Sequence, residues 1–124
     1  MNTPAVISLT LGVVLIGALA AFMRKGYENL GPNSAVGIRT KATKASPAAW
    51  RVGHEAASPF LMAAVITAVT VVVLTIGATI ASALSDSTVT DHAAVAIPAI
   101  GLAVEVVILI LATAQADKAA KSAR

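Results

Sequence analysis

Three long apolar runs, Pro4 to Met23, Pro59 to Leu84 and Ala93 to Ala114, constrain this chain more than any other feature. The first two hold no charged residue, and the third holds one, Glu105. Crossing the hydrocarbon core of a bilayer takes about 20 helical residues, so each run is long enough. In lipid every backbone polar group must find its partner within the segment or in a closed barrel, and unbroken apolar runs point to helices. Charged residues make up 12% of the 124, too few to solvate a globular surface, for which about 25% is usual. The sequence predicts an all-α integral membrane protein: one domain over residues 1–124, with three transmembrane helices at about 4–23, 59–84 and 93–114.

Basic residues set the orientation. The segment 24–58 carries Arg24, Lys25, Arg39, Lys41, Lys44 and Arg51, and the tail carries Lys118, Lys121 and Arg124. With three crossings, all nine Lys and Arg fall on one side, which the positive-inside rule assigns to the cytoplasm. The turn Ser85 to Asp91 on the other side has Asp86 and Asp91 and no base. The N-terminus is therefore expected outside and the C-terminus inside. The first run is expected to stay as a helix and not to be cleaved as a signal peptide, because Arg24 and Lys25 follow it and Met1-Asn2-Thr3 lacks positive charge. The same asymmetry accounts for the net charge of +3 without a nucleic-acid partner. The short turn predicts that the second and third spans form an antiparallel hairpin. Small-residue pairs (Gly77 and Ala81, Ala78 and Ser82, and Gly17 and Ala21 on the first span) are candidates for close helix approach.

Glu105 sits near the middle of the third run, where a charged side chain costs about 2.5–3.5 kcal/mol. Pro98, Gly101, Ile108 and Ala112 share its helical face, so that face is expected to pack against protein. Two readings stand. Glu105 is a proton or cation relay or a contact for a partner helix, or it is a protonated carboxyl bonded to a Thr hydroxyl of the second span, with Thr67, Thr70, Thr75 and Thr79 as candidates.

The polar segment 24–58 concentrates the remaining chemistry, including the only Trp, the only Tyr and one of the two His. Gly31-Pro32-Asn33-Ser34 is a turn signal. Gly37 to Lys44 lacks helical periodicity and is rich in donors. Ser46-Pro47 opens a short helix, with Ser46 as N-cap and Pro47 in the first turn. Trp50 and His54 lie on one face of it, and Arg51 and Glu55 pair on another. Ser58-Pro59 is expected to end it and start the next span. Such a segment reads as a cytoplasmic loop with a short interfacial helix and Trp50 at headgroup level.

Asn33, then Gly37-Ile38-Arg39-Thr40, Thr43, Ser46, Trp50 and His54 resemble the signature of the SdpI-like membrane proteins. That family is named for a bacterial immunity protein that protects producing cells from a secreted toxic peptide. The resemblance runs over residues 33–54, and the flanking spans extend it over most of the chain. It implies a multi-pass protein of the bacterial inner membrane with a role in immunity or signalling, and a motif built from Asn33, Gly37, Arg39, Thr40, Thr43, Trp50 and His54. Two physical roles fit these residues. Arg39, with Lys41, Lys44 and the Thr hydroxyls, can hold the phosphate of an anionic lipid headgroup. Alternatively, Asn33, Arg39 and Thr40 tie the loop to itself and to the helix ends as a rigid cap.

Enzyme signals are poor. Gly37 does not open a Walker A loop, and His54-Glu55 lacks the second His of a zinc protease helix. Ser46 and Ser58 lack a nucleophile-elbow context. No catalytic residue, metal site or cofactor is expected, and no cysteine is present. A non-enzymatic protein acting through protein contacts, as a homo-oligomer or with a larger membrane partner, is the first expectation. A small transporter or lipid-handling module using Glu105 and the Arg39 loop is the second.

Overall fold

The computed structural model describes residues 1–29, 31–32 and 37–123, of which 26–29 as backbone. Three helices carry the fold: α1 (Thr3–Asn29), α2 (Pro47–Leu84) and α3 (Thr88–Ser122), with a 3-10 turn at Thr43–Ala45 before α2. The described residues contain no strand. All three helices are long and apolar enough to cross a membrane. Ile7, Val69, Val73, Ile100 and Ile110 point outward and are exposed, a surface that only lipid solvates well.

The helices are held by small residues at their crossings. A Cβ on Gly17 of α1 would lie 2.5 Å from Ala68 Cβ on α2, and one on Gly101 of α3 would lie 2.5 Å from Val71 Cγ2. Both glycines allow a backbone approach that any larger residue would block. By contrast, Gly77 is exposed and a Cβ there would meet nothing within 4 Å, so Gly77 is not at a helix crossing.

At 38 residues, α2 is about 57 Å long against a core of about 30 Å. The excess lies before Pro59. It pairs with the end of α3 beyond Ala114, forming a two-helix stub that carries Arg51, His54, Glu55, Asp117, Lys118 and Lys121. Gly53 makes this crossing, where a Cβ would lie 2.9 Å from the Ala116 carbonyl oxygen. Ala49, Ala57, Ala112, Ala116 and Ala120 are all fully buried along the stub and the adjoining turns.

This continuity corrects the expectation of a separate interfacial helix ending at Ser58-Pro59. Ser46 does cap the helix, its hydroxyl accepting from the Ala49 N–H at 3.0 Å, but α2 then runs through Pro59 without interruption. The Pro59 ring is exposed, and the hydrogen bond it forfeits is the one to the exposed Glu55 four residues back. Ala57 and Leu61 on either side are fully buried, so packing holds the axis across the proline. At the other end the turn is tighter than expected, with α3 starting at Thr88. Asp91 in its first turn accepts from the Ser82 hydroxyl and lies 3.6 Å from the Met1 amino group, which joins all three helices there.

Glu105 is fully buried, as are Pro98, Gly101 and Ala112 on the same face of α3. It lies one turn from Gly101, at the depth where Gly17 of α1 meets Ala68 of α2. The bond to a Thr of α2 that one of the two readings of Glu105 required is not formed: neither Glu105 carboxyl oxygen has a hydrogen-bond partner among the described residues. Thr67, the nearest in register, donates instead to its own Ala63 carbonyl at 2.8 Å, the usual local alternative for a helical hydroxyl.

Candidate functional site

The segment after Gly37 folds down onto the helix ends. Ile38 anchors it, 6% exposed in an apolar cluster with Met23, Ala57, Leu61, Ala112 and Ala116 from all three helices. Ala42 does the same against Ala49 and Ala120. Neither anchor stands out in the sequence, since a lone Ile and a lone Ala in a polar segment show no periodicity. Arg24 at the end of α1 adds a lateral tie, its Nε donating to Ser58 Oγ at 3.0 Å.

His54 organises the cluster. Its Nε2 accepts from the Ile38 N–H at 2.9 Å, and its Nδ1 lies 2.8 Å from the Trp50 carbonyl oxygen. An acceptor at one nitrogen and a donor at the other define a neutral imidazole with its proton on Nδ1. His54 precedes the charge-free part of α2, outside the membrane-spanning segment, and is fully buried. That burial pushes its pKa below the usual imidazole value, opposed by the bond to the Trp50 carbonyl, which favours the charged form. The Trp50 ring stacks at a tilt on the imidazole, centroids 4.3 Å apart.

Trp50 is 2% exposed, so its ring is covered by protein and is not presented to lipid headgroups. It serves as the floor under the loop. Gly37 lies directly on that floor with φ +107°, and a Cβ there would be 2.7 Å from His54 Nε2 and 2.8 Å from Trp50 Cζ2. Both the backbone conformation and the space require glycine.

The two threonines close the turn. The Thr43 hydroxyl donates to the Ile38 carbonyl at 2.7 Å and accepts from the Thr40 N–H at 2.9 Å. Thr40 Oγ1 in return accepts from the Thr43 N–H at 3.1 Å. This reciprocal pairing satisfies the donors that start the 3-10 turn, as a capping box does for a helix. Gly53 beneath makes room, since a Cβ there would lie 3.0 Å from Thr43 Cγ2. The structure thus brings Gly37, Thr40, Thr43, Trp50 and His54 into one interlocked unit. Asn33 lies outside the described residues.

Arg39 has a different role. Its side chain is exposed, with no hydrogen bond or ion pair to any described residue, and the same holds for the side chains of Lys41 and Lys44. It is therefore not a tie within the cap. It lines a cavity of about 270 Å³ together with Thr40, Met23, Leu61 and Leu109. That cavity shares Thr40, Leu109 and Thr113 with a groove of about 640 Å³ along the outer side of α3. Arg51 and Glu55 form the expected pair at 3.5 Å, both exposed. Glu105 is not part of this cluster, lying seven residues, about 10 Å of helix, from Ala112. No group of three metal-ligating side chains occurs among the described residues.

The interlocked unit, the start of α2 and the two spans below it fall within the match of one family model, the SdpI/YfhL protein family, over residues 29–113. The chain belongs to that family. Neither a curated protein nor a solved structure matches it. The family region begins at the end of α1 and takes in the motif loop, α2 and α3 as far as Thr113. It contains every residue of the Gly37–Thr43–His54 cluster, and Glu105 as well.

Proposed function

We propose that this SdpI/YfhL protein is non-enzymatic and acts through protein contacts made by a rigid basic cap on the cytoplasmic side of a bacterial inner membrane. The N-terminus is then outside and the C-terminus inside, as the one-sided Lys and Arg distribution favours. One observation carries the reading: His54, the motif side chain best suited to acid-base chemistry, is used up in architecture together with Thr43. His54 has both ring nitrogens engaged and no exposed surface, and Thr43 is fully buried with its hydroxyl bonded on both sides. A buried, satisfied imidazole cannot reach a substrate proton. What the cap offers outward is charge, from Lys41, Lys44 and Arg51 held on a fixed frame.

Such a frame suits recognition of an acidic partner surface, in toxin immunity, in signalling, or as an accessory subunit of a larger membrane complex. The test is purification of the tagged full chain from native membranes in mild detergent, with identification of what accompanies it. A stoichiometric partner lost on Lys41→Glu/Lys44→Glu substitution supports the proposal. Turnover of any membrane substrate that depends on His54 overturns it.

A second reading, a small transporter, is favoured by the fully buried and unpartnered Glu105 carboxyl in the bundle. Flux in proteoliposomes that is abolished by Glu105→Gln supports that reading.

A further inference from the structure

We infer that the groove between the motif loop and α3 seats one anionic phospholipid, with its phosphate on Arg39 and Thr40 and an acyl chain along Val106, Leu109 and Ile110. Three observations carry this.

The first is depth. The groove walls from Val106 to Thr113 belong to the charge-free part of α3 after Glu105, which lies among acyl chains, whereas Asp117 at the groove's end is beyond the apolar run. Thr40 lines this same groove, and Arg39 borders the cavity that continues it past Leu109 and Thr113. Because Ile38 pins the loop against the helices, Arg39 is held at the level where a headgroup meets its chains.

The second is chemistry. Arg39 offers a planar fork of donors that matches a phosphate, and no described residue occupies it. The proton of the Thr40 hydroxyl makes only a 3.4 Å contact with Thr43 Oγ1, so it is available to a stronger acceptor. Asp117 also lines the groove, but its carboxylate is paired with Lys121 at 2.9 Å.

The third is shape. The groove is open along its length and walled almost wholly by apolar side chains, with its polar groups confined to the Thr40, Thr113 and Asp117 end. That amphipathic division fits a lipid with a charged head, whereas a soluble peptide would have to bury its backbone against apolar side chains. The inference is separate from the proposed protein contacts, which use Lys41, Lys44 and Arg51.

The experiment is native mass spectrometry of the purified full chain, delipidated in mild detergent and titrated with phosphatidylglycerol or phosphatidylcholine of the same chains. One phosphatidylglycerol is expected to bind in preference to phosphatidylcholine. Arg39→Gln should weaken it by roughly tenfold or more, the loss expected when a charge-assisted hydrogen bond to a phosphate is removed. Arg39→Lys should not fully restore it, and Lys44→Gln should change it by less than about twofold. Ile110→Trp, which fills the groove and leaves the charge unchanged, should also lower retention, with circular dichroism confirming the helices. Equal binding of the two lipids, or equal losses at Arg39 and Lys44, would overturn the site in favour of diffuse charge attraction. So would a co-purified transmembrane helix that cross-links to Ile110 in place of lipid.

Discussion

The Ile38 amide and the His54 imidazole, 2.9 Å apart and 16 positions apart in sequence, connect the motif loop to the membrane helices. Everything on the loop side of this bond, from Gly37 to the 3-10 turn, is placed by it, and everything on the helix side is the stub of α2 and α3. His54→Ala would leave the Ile38 N–H buried without an acceptor and open a cavity beside Trp50. The expected loss is about 2–4 kcal/mol, concentrated in the cap. Limited trypsinolysis reads it directly, because Arg39, Lys41 and Lys44 become cleavable when the cap opens while the α-helical circular dichroism stays near the parent's.

The same bond makes the cap sensitive to acid. His54 is held neutral, with its pKa lowered by burial, so the opened state binds a proton more readily than the closed one. Its contribution is complete above the ordinary imidazole value, about 6.5, and is lost as pH falls through that value toward the depressed folded one. Protonation would also turn Nε2 into a donor facing the Ile38 N–H. Trypsin susceptibility, corrected for the enzyme's own pH profile, should therefore rise below about pH 6.5. In His54→Gln this pH dependence should vanish. A parent protein equally resistant at pH 5 and pH 8 would contradict the assignment.

Gly37 and Gly77 form an internal contrast. Gly37→Ala imposes a side chain on a backbone at φ +107° and within 2.8 Å of two rings. A cost of about 2 kcal/mol or more is expected, with the cap loosened as in His54→Ala. Gly77→Ala adds a Cβ to open space inside α2, two turns before its end, where alanine is the better helix former by about 1 kcal/mol, so its melting temperature in detergent should hold or rise. Equal behaviour of the two variants would rule out a rigid Gly37 seat.

The helices were legible because lipid imposes a simple grammar: long charge-free runs, a short turn with Asp86 and Asp91, and bases at one end. The Ser46-Pro47 start of α2 was legible for a similar reason, since capping is local and the hydroxyl needs only the next turn. Pro59 misled because a local rule against proline was outweighed by burial of Ala57 and Leu61 on either side, which no window of sequence displays. The covering of Trp50 by Gly37 and His54 was hidden for a similar reason, since it comes from a loop 13 positions earlier and not from a local pattern. The motif residues could be named from their pattern, but their division into buried architecture and an exposed Arg39 depended on Ile38, whose burial comes from three helices at once. Gly53 carried a usable signal, one turn after Ala49 and one before Ala57, in a stripe of small residues.

Glu105 offers the clearest separation between stability and function. Its carboxyl is fully buried and has no hydrogen-bond partner among the described residues, a placement that costs free energy in the isolated chain. Glu105→Met keeps approximate volume and removes the polar group, so the purified chain should become more stable by about 1–3 kcal/mol, read as a higher melting temperature in detergent. Glu105→Gln keeps shape and hydrogen-bonding capacity without a titratable proton, and it should leave assembly intact if the native group is a neutral acid. The two together are decisive. Stabilisation by Met with assembly lost, and assembly kept by Gln, would mean that Glu105 donates a hydrogen bond to a partner helix. Loss of assembly in Glu105→Gln would mean that the partner supplies a positive charge and that the native group is a carboxylate. Assembly kept in both would remove Glu105 from the interface and leave its retention to be explained by proton or cation movement, which the flux measurement then tests.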